Sequence, residues 1–358
     1  MKNHISILSK VSSVTQYRFK TILSIAVLWT LVDIIVVLVF NSLPSQNKLG
    51  ALLLRELIVF ISSLCVGYLL VNTLKRLFRD FNLLTTLLIK SAILVIAAFL
   101  INLLLFSFNS ISILGVPFKE SFHKFYDEIS DFHKLLQKIL YWIILFVVTQ
   151  LLIELNEKYS PGVFMDILLG KYVEPKIETR IIMFMDLKDS TPIAEQLGSQ
   201  RYFRLIREFI YQVSNALIEY GGRIYQYVGD EIVVSWLYNK ENTRKSIRAL
   251  VQARRNLNRH QKDFQKKYGV IPEFRVGIHI GIVTVGEIGV IKKDLAMSGD
   301  TMNTTARIRT CCSELDQKYL ASKDFISRAN LASSHYESLG MIELKGKTNE
   351  MELFALKI

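Results

Sequence analysis

Three short stretches hold side chains whose types and spacing suit one kind of chemistry. RIIMFMDL ends an apolar run on Asp186, and IYQYVGDEIVVSW carries Asp230 and Glu231 between two more apolar runs. SGDTMNTTARIRT sets Asn303 and Arg307 four residues apart, which is one face of a helix. Two carboxylates brought to one edge ask for a hard cation. Mg2+ with nucleotide phosphates is the usual occupant, because it takes one or two carboxylates and leaves its other positions to phosphate and water. Two such ions activate an attacking hydroxyl and stabilise a departing pyrophosphate. An amide and a guanidinium in one cleft suit a ribose oxygen and the charge that develops on phosphate. LKGKT adds Lys345 and Lys347, read as one side of a strand and as binders of polyphosphate. Each stretch also has a plain reading: a turn aspartate, a solvated helix arginine, a solvated strand face.

The elements that must position these groups follow from pattern. Residues 180–187 read as a buried strand. Ser190-Thr191-Pro192 opens a helix, with Thr191 as N-cap and Pro192 in the first turn, running to about Tyr220 and ending at Gly221-Gly222. Gly229-Asp230 between β-branched and aromatic runs is a two-residue hairpin turn between strands expected to be buried. A helix at 242–267, a strand pair within 273–287, a strand at 294–298, a helix at 300–314 and strands at 341–346 and 351–356 complete the half. The order β-α-β-β-α-β is the ferredoxin-like pattern, which lays the first strand beside the hairpin and brings Asp186 and Asp230 to one edge. His279 reads as a strand residue with no assigned role.

The other half of the chain is different. The 358 residues are 51% hydrophobic, and mean hydropathy is +0.29. The excess sits before residue 156, in apolar runs at 22–40, 51–72, 89–108 and 139–155. Each approaches the ~20 residues that cross a bilayer. The first is expected to be a retained signal anchor. Lys2, Lys10, Arg18 and Lys20 precede the first run, and Lys75, Arg76, Arg79 and Lys90 lie between the second and third. The positive-inside rule puts both segments in the cytoplasm, and four crossings return the C-terminal half there. Segment 41–50 has only Lys48, and segment 109–138 reads as amphipathic through Phe122, Phe125, Tyr126, Ile129, Phe132 and Leu135. Asp33 lies inside the first run, where a carboxylate is costly, and Arg55 is its expected partner in a helix hairpin. Between the halves, Pro161-Gly162 breaks the helix, and a short helix at 163–169 and an extended stretch through Pro175 follow.

Three domains result: a membrane domain at 1–155, a linker or transmitter at 156–179, and a catalytic domain at 180–358. The class is an all-α transmembrane four-helix region plus an α+β ferredoxin-like, palm-type domain. Net charge is +12, divided evenly about residue 160, which suits an anionic membrane surface or phosphate ligands. No basic block or nucleic-acid motif is present, so no nucleic-acid partner is expected. Cys65, Cys311 and Cys312 are odd in number and lack C-x-x-C spacing, so neither a disulfide framework nor a zinc site is expected.

Taken together, MFMDLKDST, YVGDEIV, GDTMNTTAR and LKGK resemble the class III nucleotidyl cyclases over about residues 178–358. The resemblance implies a head-to-tail homodimer with active sites at the interface. One chain would supply Asp186, Asp230 and the backbone carbonyl of Leu187 to two Mg2+ or Mn2+ ions. The other would supply Asn303, Arg307 and Lys345. The ribose 3′-hydroxyl of ATP would attack the α-phosphorus and release pyrophosphate, in a multi-pass protein of the cell membrane. The pair that reads the base falls on Gln226 and Ala296, where adenylate cyclases usually have Lys and Asp or Thr, and guanylate cyclases have Glu at the first position. A Gln amide both donates and accepts, so it admits adenine or guanine. Ala296 offers no polar group, although Ser298 stands nearby. ATP is the expected substrate. The alternatives are cyclic GMP synthesis, or a degenerate domain that binds nucleotide without turning it over. The GDEIV stretch is also similar to diguanylate cyclases, but Val228 stands where they have glycine and they lack the Asn303/Arg307 helix.

Overall fold

A computed structural model describes residues 13–40, 49–74, 83–112, 117, 120, 123, 125–127, 130–158, 163–290, 294–347 and 349–358. Lys2, Lys10, Lys48, Lys75, Arg76, Arg79, Phe122, Ile129, the break at Pro161-Gly162 and Thr348 lie outside these. The chain divides into two compact units, Thr15–Lys158 and, essentially, Tyr159–Ile358.

The first unit is helical: α1 (Ser13–Phe40), α2 (Leu49–Tyr68), which runs on into a π-turn at Leu69–Leu74, α3 (Leu83–Ser112) and α4 (Phe132–Lys158). These cover the four apolar runs. Arg18–Leu38 and Leu52–Thr73 are long and apolar enough to cross a membrane by length and composition. The apolar stretches of the other two are shorter, Ala92–Phe108 and Ile139–Gln150. Ile25, Trp29, Val66, Leu94, Ile101 and Leu145 form the interior. The Trp29 indole donates to Thr149 Oγ1 at 2.7 Å and so ties α1 to α4. The expected pair is present: Arg55 lies 2.8 Å from Asp33, and it also contacts Glu56 at 3.2 Å. Glu56 was not anticipated; it is buried, and among the described residues its Oε2 has no hydrogen-bond partner.

The second unit begins with α5 (Val163–Leu168). The stretch to Pro175 is turned rather than extended. Gly170 takes φ 67°, its amide bonds Ile167 O, and Lys171 N bonds Asp166 O, so the helix end folds back on itself. Asp166 then reaches Arg223 at 2.7 Å, tying α5 to the hairpin strand.

The strands are β1 (Lys176–Leu187), β2 (Arg223–Val228), β3 (Glu231–Leu237), β4 (Phe274–Ile288), β5 (Asp294–Ser298), β6 (Tyr319–Ser322), β7 (Tyr336–Ile342) and β8 (Met351–Leu356). The helices are α6 (Ser190–Glu219), α7 (Lys240–Arg259), α8 (Gln261–Tyr268), α9 (Asp300–Glu314) and α10 (Lys323–Ala329). The sheet runs β2-β3-β1-β4-β6-β8-β7, with β5 on β4. Its β4-β1-β3-β2 part, antiparallel throughout, is the ferredoxin-like arrangement. β6 joins parallel to β4 and makes the whole sheet mixed.

Several expectations need correcting. Thr191 does not cap α6: the N-cap is Asp189, two residues earlier, in the left-handed region at φ 56°. The helix expected at 242–267 is two, α7 and α8, broken at His260. The strand pair within 273–287 is one strand, because GIHIG has no turn chemistry. Its glycines serve close packing instead. A Cβ on Gly277 would sit 2.7 Å from Thr305 O and 2.8 Å from Arg309 Cα, so α9 lies directly on β4 there. We expect Gly277→Ala to cost about 2–3 kcal/mol, because the atoms it meets are backbone and cannot yield. Chemical unfolding of the full-length variant checks this; an unchanged midpoint would contradict the packing. Hairpin strand β3 is buried as expected, but β2 is not, because it is the sheet's edge and is bulged at Ile224/Gln226. The β6-α10 unit was not anticipated.

Candidate active site

Register explains why the carboxylates meet. β1 pairs β3 as far as Met185 with Ile232, so the next rung sets Asp186 level with Glu231. Val228 pairs Glu231 across a turn in which Gly229 has φ 62°, the left-handed geometry that a tight hairpin needs. The turn therefore overhangs the end of β1. Burial first, and then the neighbouring Asp230 carboxyl, push the Asp186 carboxyl up to about 7. Burial also raises Glu231, although Arg309 opposes it. Among the described residues, the buried Asp230 Oδ2 has no hydrogen-bond partner.

A residue that the sequence reading passed over completes this cluster. Arg309 on α9 reaches Asp186 Oδ2 with Nη1 at 3.2 Å, and Glu231 Oε2 with Nη2 at 2.7 Å. A signal for it was present. Arg309 follows Thr305 by four residues and precedes Cys312 by three, so it shares the buried side of the helix, where an arginine requires an acid.

Asn303 is exposed and Arg307 half-buried on the same helix. Among the described residues neither bonds to Asp186 or Asp230. The structure brings Arg307 instead to the loop of Lys345, Gly346 and Lys347, where a Cβ on Gly346 would lie 3.4 Å from Arg307 Nη2. This loop corrects the strand expected at 341–346: β7 ends at Ile342, and Gly346 at φ 74° turns the chain. The two lysines consequently differ. Lys345 is exposed, whereas Lys347 is ion-paired to Asp300 at the start of α9. Gln226 is exposed on β2, and Ala296 is half-buried on β5. Tyr225 Oη, next to Gln226, accepts the Met297 amide at 3.2 Å, so one hydrogen bond links the two strands that carry the pair. Leu187 is buried opposite Phe274 at the end of β1. His279 is a buried strand residue whose Nδ1 lies 2.7 Å from Ser322 Oγ.

Residues 172–358 match the family model of the adenylate and guanylate cyclase catalytic domain. The chain belongs to this family. It is 32% identical over 206 residues to adenylate cyclase 2 of Rhizobium meliloti, which covers 57% of each protein. It is 24% identical over 216 residues to an adenylate cyclase of Anabaena cylindrica, covering 56% of this chain and 42% of that one. The chain thus spans about half the length of the curated relatives it matches. Among solved structures, a bacterial light-regulated adenylyl cyclase superposes with TM-score 0.54 at 20% identity, over 64% of this chain and 67% of that one, and shares the fold. The cyclase domain's mixed sheet is thus family architecture, while Arg309 is a feature read from this chain.

Proposed function

We propose that the chain is a membrane-anchored adenylate cyclase that converts ATP to 3′,5′-cyclic AMP and pyrophosphate in cyclic nucleotide signalling. The observation that carries the reading is the strand register that sets Asp186 beside the hairpin turn of Asp230, with one Asp230 carboxylate oxygen buried and unpaired among the described residues. An all-oxygen donor set of two carboxylates suits Mg2+ or Mn2+ better than zinc. Asp186, Asp230 and the Leu187 carbonyl would hold two such ions. When bound, these ions lower the pKa of the attacking hydroxyl and neutralise charge on the leaving group.

The chain's own groups do the rest. Asn303 orients the ribose, Arg307 stabilises the charge that builds on the α-phosphate, and Lys345 holds the polyphosphate. Arg307 lies against the Lys345–Gly346 loop rather than at the Asp186–Asp230 pair, which suits its acting, with Asn303, on a partner chain's nucleotide. The functional unit is then a homodimer with two sites. The three matching curated relatives carry the name adenylate cyclase, which favours ATP. Gln226 reads the adenine edge, with Ala296 leaving room beside it.

The test of base choice is the ratio of cyclic AMP to cyclic GMP formed from equimolar ATP and GTP. Cyclic AMP should predominate. Gln226→Glu should move the ratio toward cyclic GMP by about tenfold, the worth of one hydrogen bond gained or lost. A ratio that Gln226 substitutions leave unchanged would remove it from the base site.

The helical unit supports the anchor. Its outward faces are apolar, with Leu53, Leu57, Val95, Ile96, Ile143 and Ile144 exposed, while its charged side chains Asp33 and Glu56 are buried. That inversion suits lipid rather than water. The anchor is multi-pass in the cell membrane, with the N-terminus and the cyclase domain in the cytoplasm.

A further inference from the structure

Three carboxylates, Asp186, Asp230 and Glu231, crowd the hairpin end of β1, and among the described residues Arg309 is the cation that pairs with two of them. Its position is not accidental to a mobile side chain. The Arg309 backbone lies against Gly277, with no room for even a methyl group between them, so α9 cannot slide to carry the guanidinium away. The side chain is 28% exposed, and its buried Nε has no partner among the described residues. The guanidinium is drawn inward by the acids at the cost of that unpaired donor. It divides between Asp186 Oδ2 and Glu231 Oε2.

A divalent cation taken up by the Asp186–Asp230 pair would meet this resident charge in two ways. It would have to share Asp186 Oδ2 with Nη1. It would also sit within a few ångströms of a fixed positive charge, in surroundings of reduced dielectric. Glu231 acts in the opposite direction, because it holds Nη2 and offsets the charge of the guanidinium.

We propose that Arg309 is a positioning residue that sets the cation affinity of the carboxylate pair. It competes for Asp186 and raises the concentration of divalent cation at which the site fills, and Glu231 moderates that competition. This rests on the reading of Asp186 and Asp230 as the cation-binding pair.

The experiment is Mn2+ binding to the full-length protein in detergent without nucleotide, followed by the electron paramagnetic resonance signal of free Mn2+. Arg309→Met should bind Mn2+ about three- to tenfold more tightly, because a like charge and a competitor are both removed. Glu231→Gln should bind more weakly by a similar factor, because Arg309 is released wholly onto Asp186. Arg309→Lys, which keeps the charge, should stay near the parent value. Opposite signs separate this role from a structural one: a salt bridge that only braces the hairpin would make both neutralising variants weaker. Weaker binding in Arg309→Met, or shifts of the same sign in both, would overturn the proposal. If Arg309→Met does not fold, as judged by thermal unfolding, Arg309→Gln gives the same reading. Asp186→Asn is the control for the underlying assignment. If the parent binds no Mn2+, or binds it equally well after Asp186→Asn, the cation pair itself is wrong and the role of Arg309 falls with it. If Asp186→Asn removes binding and Arg309→Met leaves it unchanged, only the role of Arg309 is refuted.

Discussion

Asp230→Ala should lower product formation by at least about a thousandfold while leaving the fold intact. The physical case rests on where the side chain is. Asp230 is in a turn, so its removal deletes no core contact, and the left-handed φ that the turn demands is carried by Gly229 instead. What is lost is one of the two carboxylates that converge at the end of β1. Asp186 alone cannot hold a pair of cations against a nucleotide polyphosphate. Its partner has no substitute, because Glu231 is already committed to Arg309. The check is the rate of cyclic nucleotide formation at saturating Mn2+, with thermal unfolding run alongside. Retention of more than a tenth of the rate in a folded variant would contradict the assignment of Asp230.

The second large effect is one of complementation. Asp186→Ala and Arg307→Ala should each be inactive as a homodimer. Co-expressed in equal amounts, they should recover about a quarter of the parent rate, because half the dimers are mixed and each mixed dimer keeps one intact site of two. The expectation follows from the separation of the two sets within one chain. Arg307 lies against the Lys345–Gly346 loop, while it is Arg309 that turns to Asp186. Failure to recover any activity, with mixed dimers shown to form, would mean that both sets serve a nucleotide within a single chain.

Much of this site was legible in the sequence, and the reasons are local. Gly229-Asp230 between β-branched runs admits little besides a tight turn, and β5 and α9 fall on the residues that their patterns set, 294–298 and 300–314. The Asp33–Arg55 pair was legible because a carboxylate among apolar residues must find a partner. What escaped depends on tertiary packing. GIHIG reads as a break when glycine is treated as a turn former, yet Gly277 and Gly281 exist to let α9 approach β4, which no local rule reveals. The LKGK loop reads as strand by composition, but Gly346 adopts a positive φ that only the folded chain displays. The β6-α10 unit is short, and its strand of four residues is buried throughout, so it shows no alternation. Its capping signal was visible nonetheless: Ser322 accepts the Phe325 amide. Arg309 was overlooked because Arg307, two residues before it, explained the motif.

The central claim is cyclisation of ATP at a site built from both chains of a homodimer. Its most direct test is the product itself: purified full-length protein, Mn2+ and ATP, with cyclic AMP and pyrophosphate quantified together. The account predicts cyclic AMP and pyrophosphate in equal amounts, both lost in Asp230→Ala. A folded, dimeric protein that binds ATP and releases neither product would contradict it and leave a domain that only binds nucleotide.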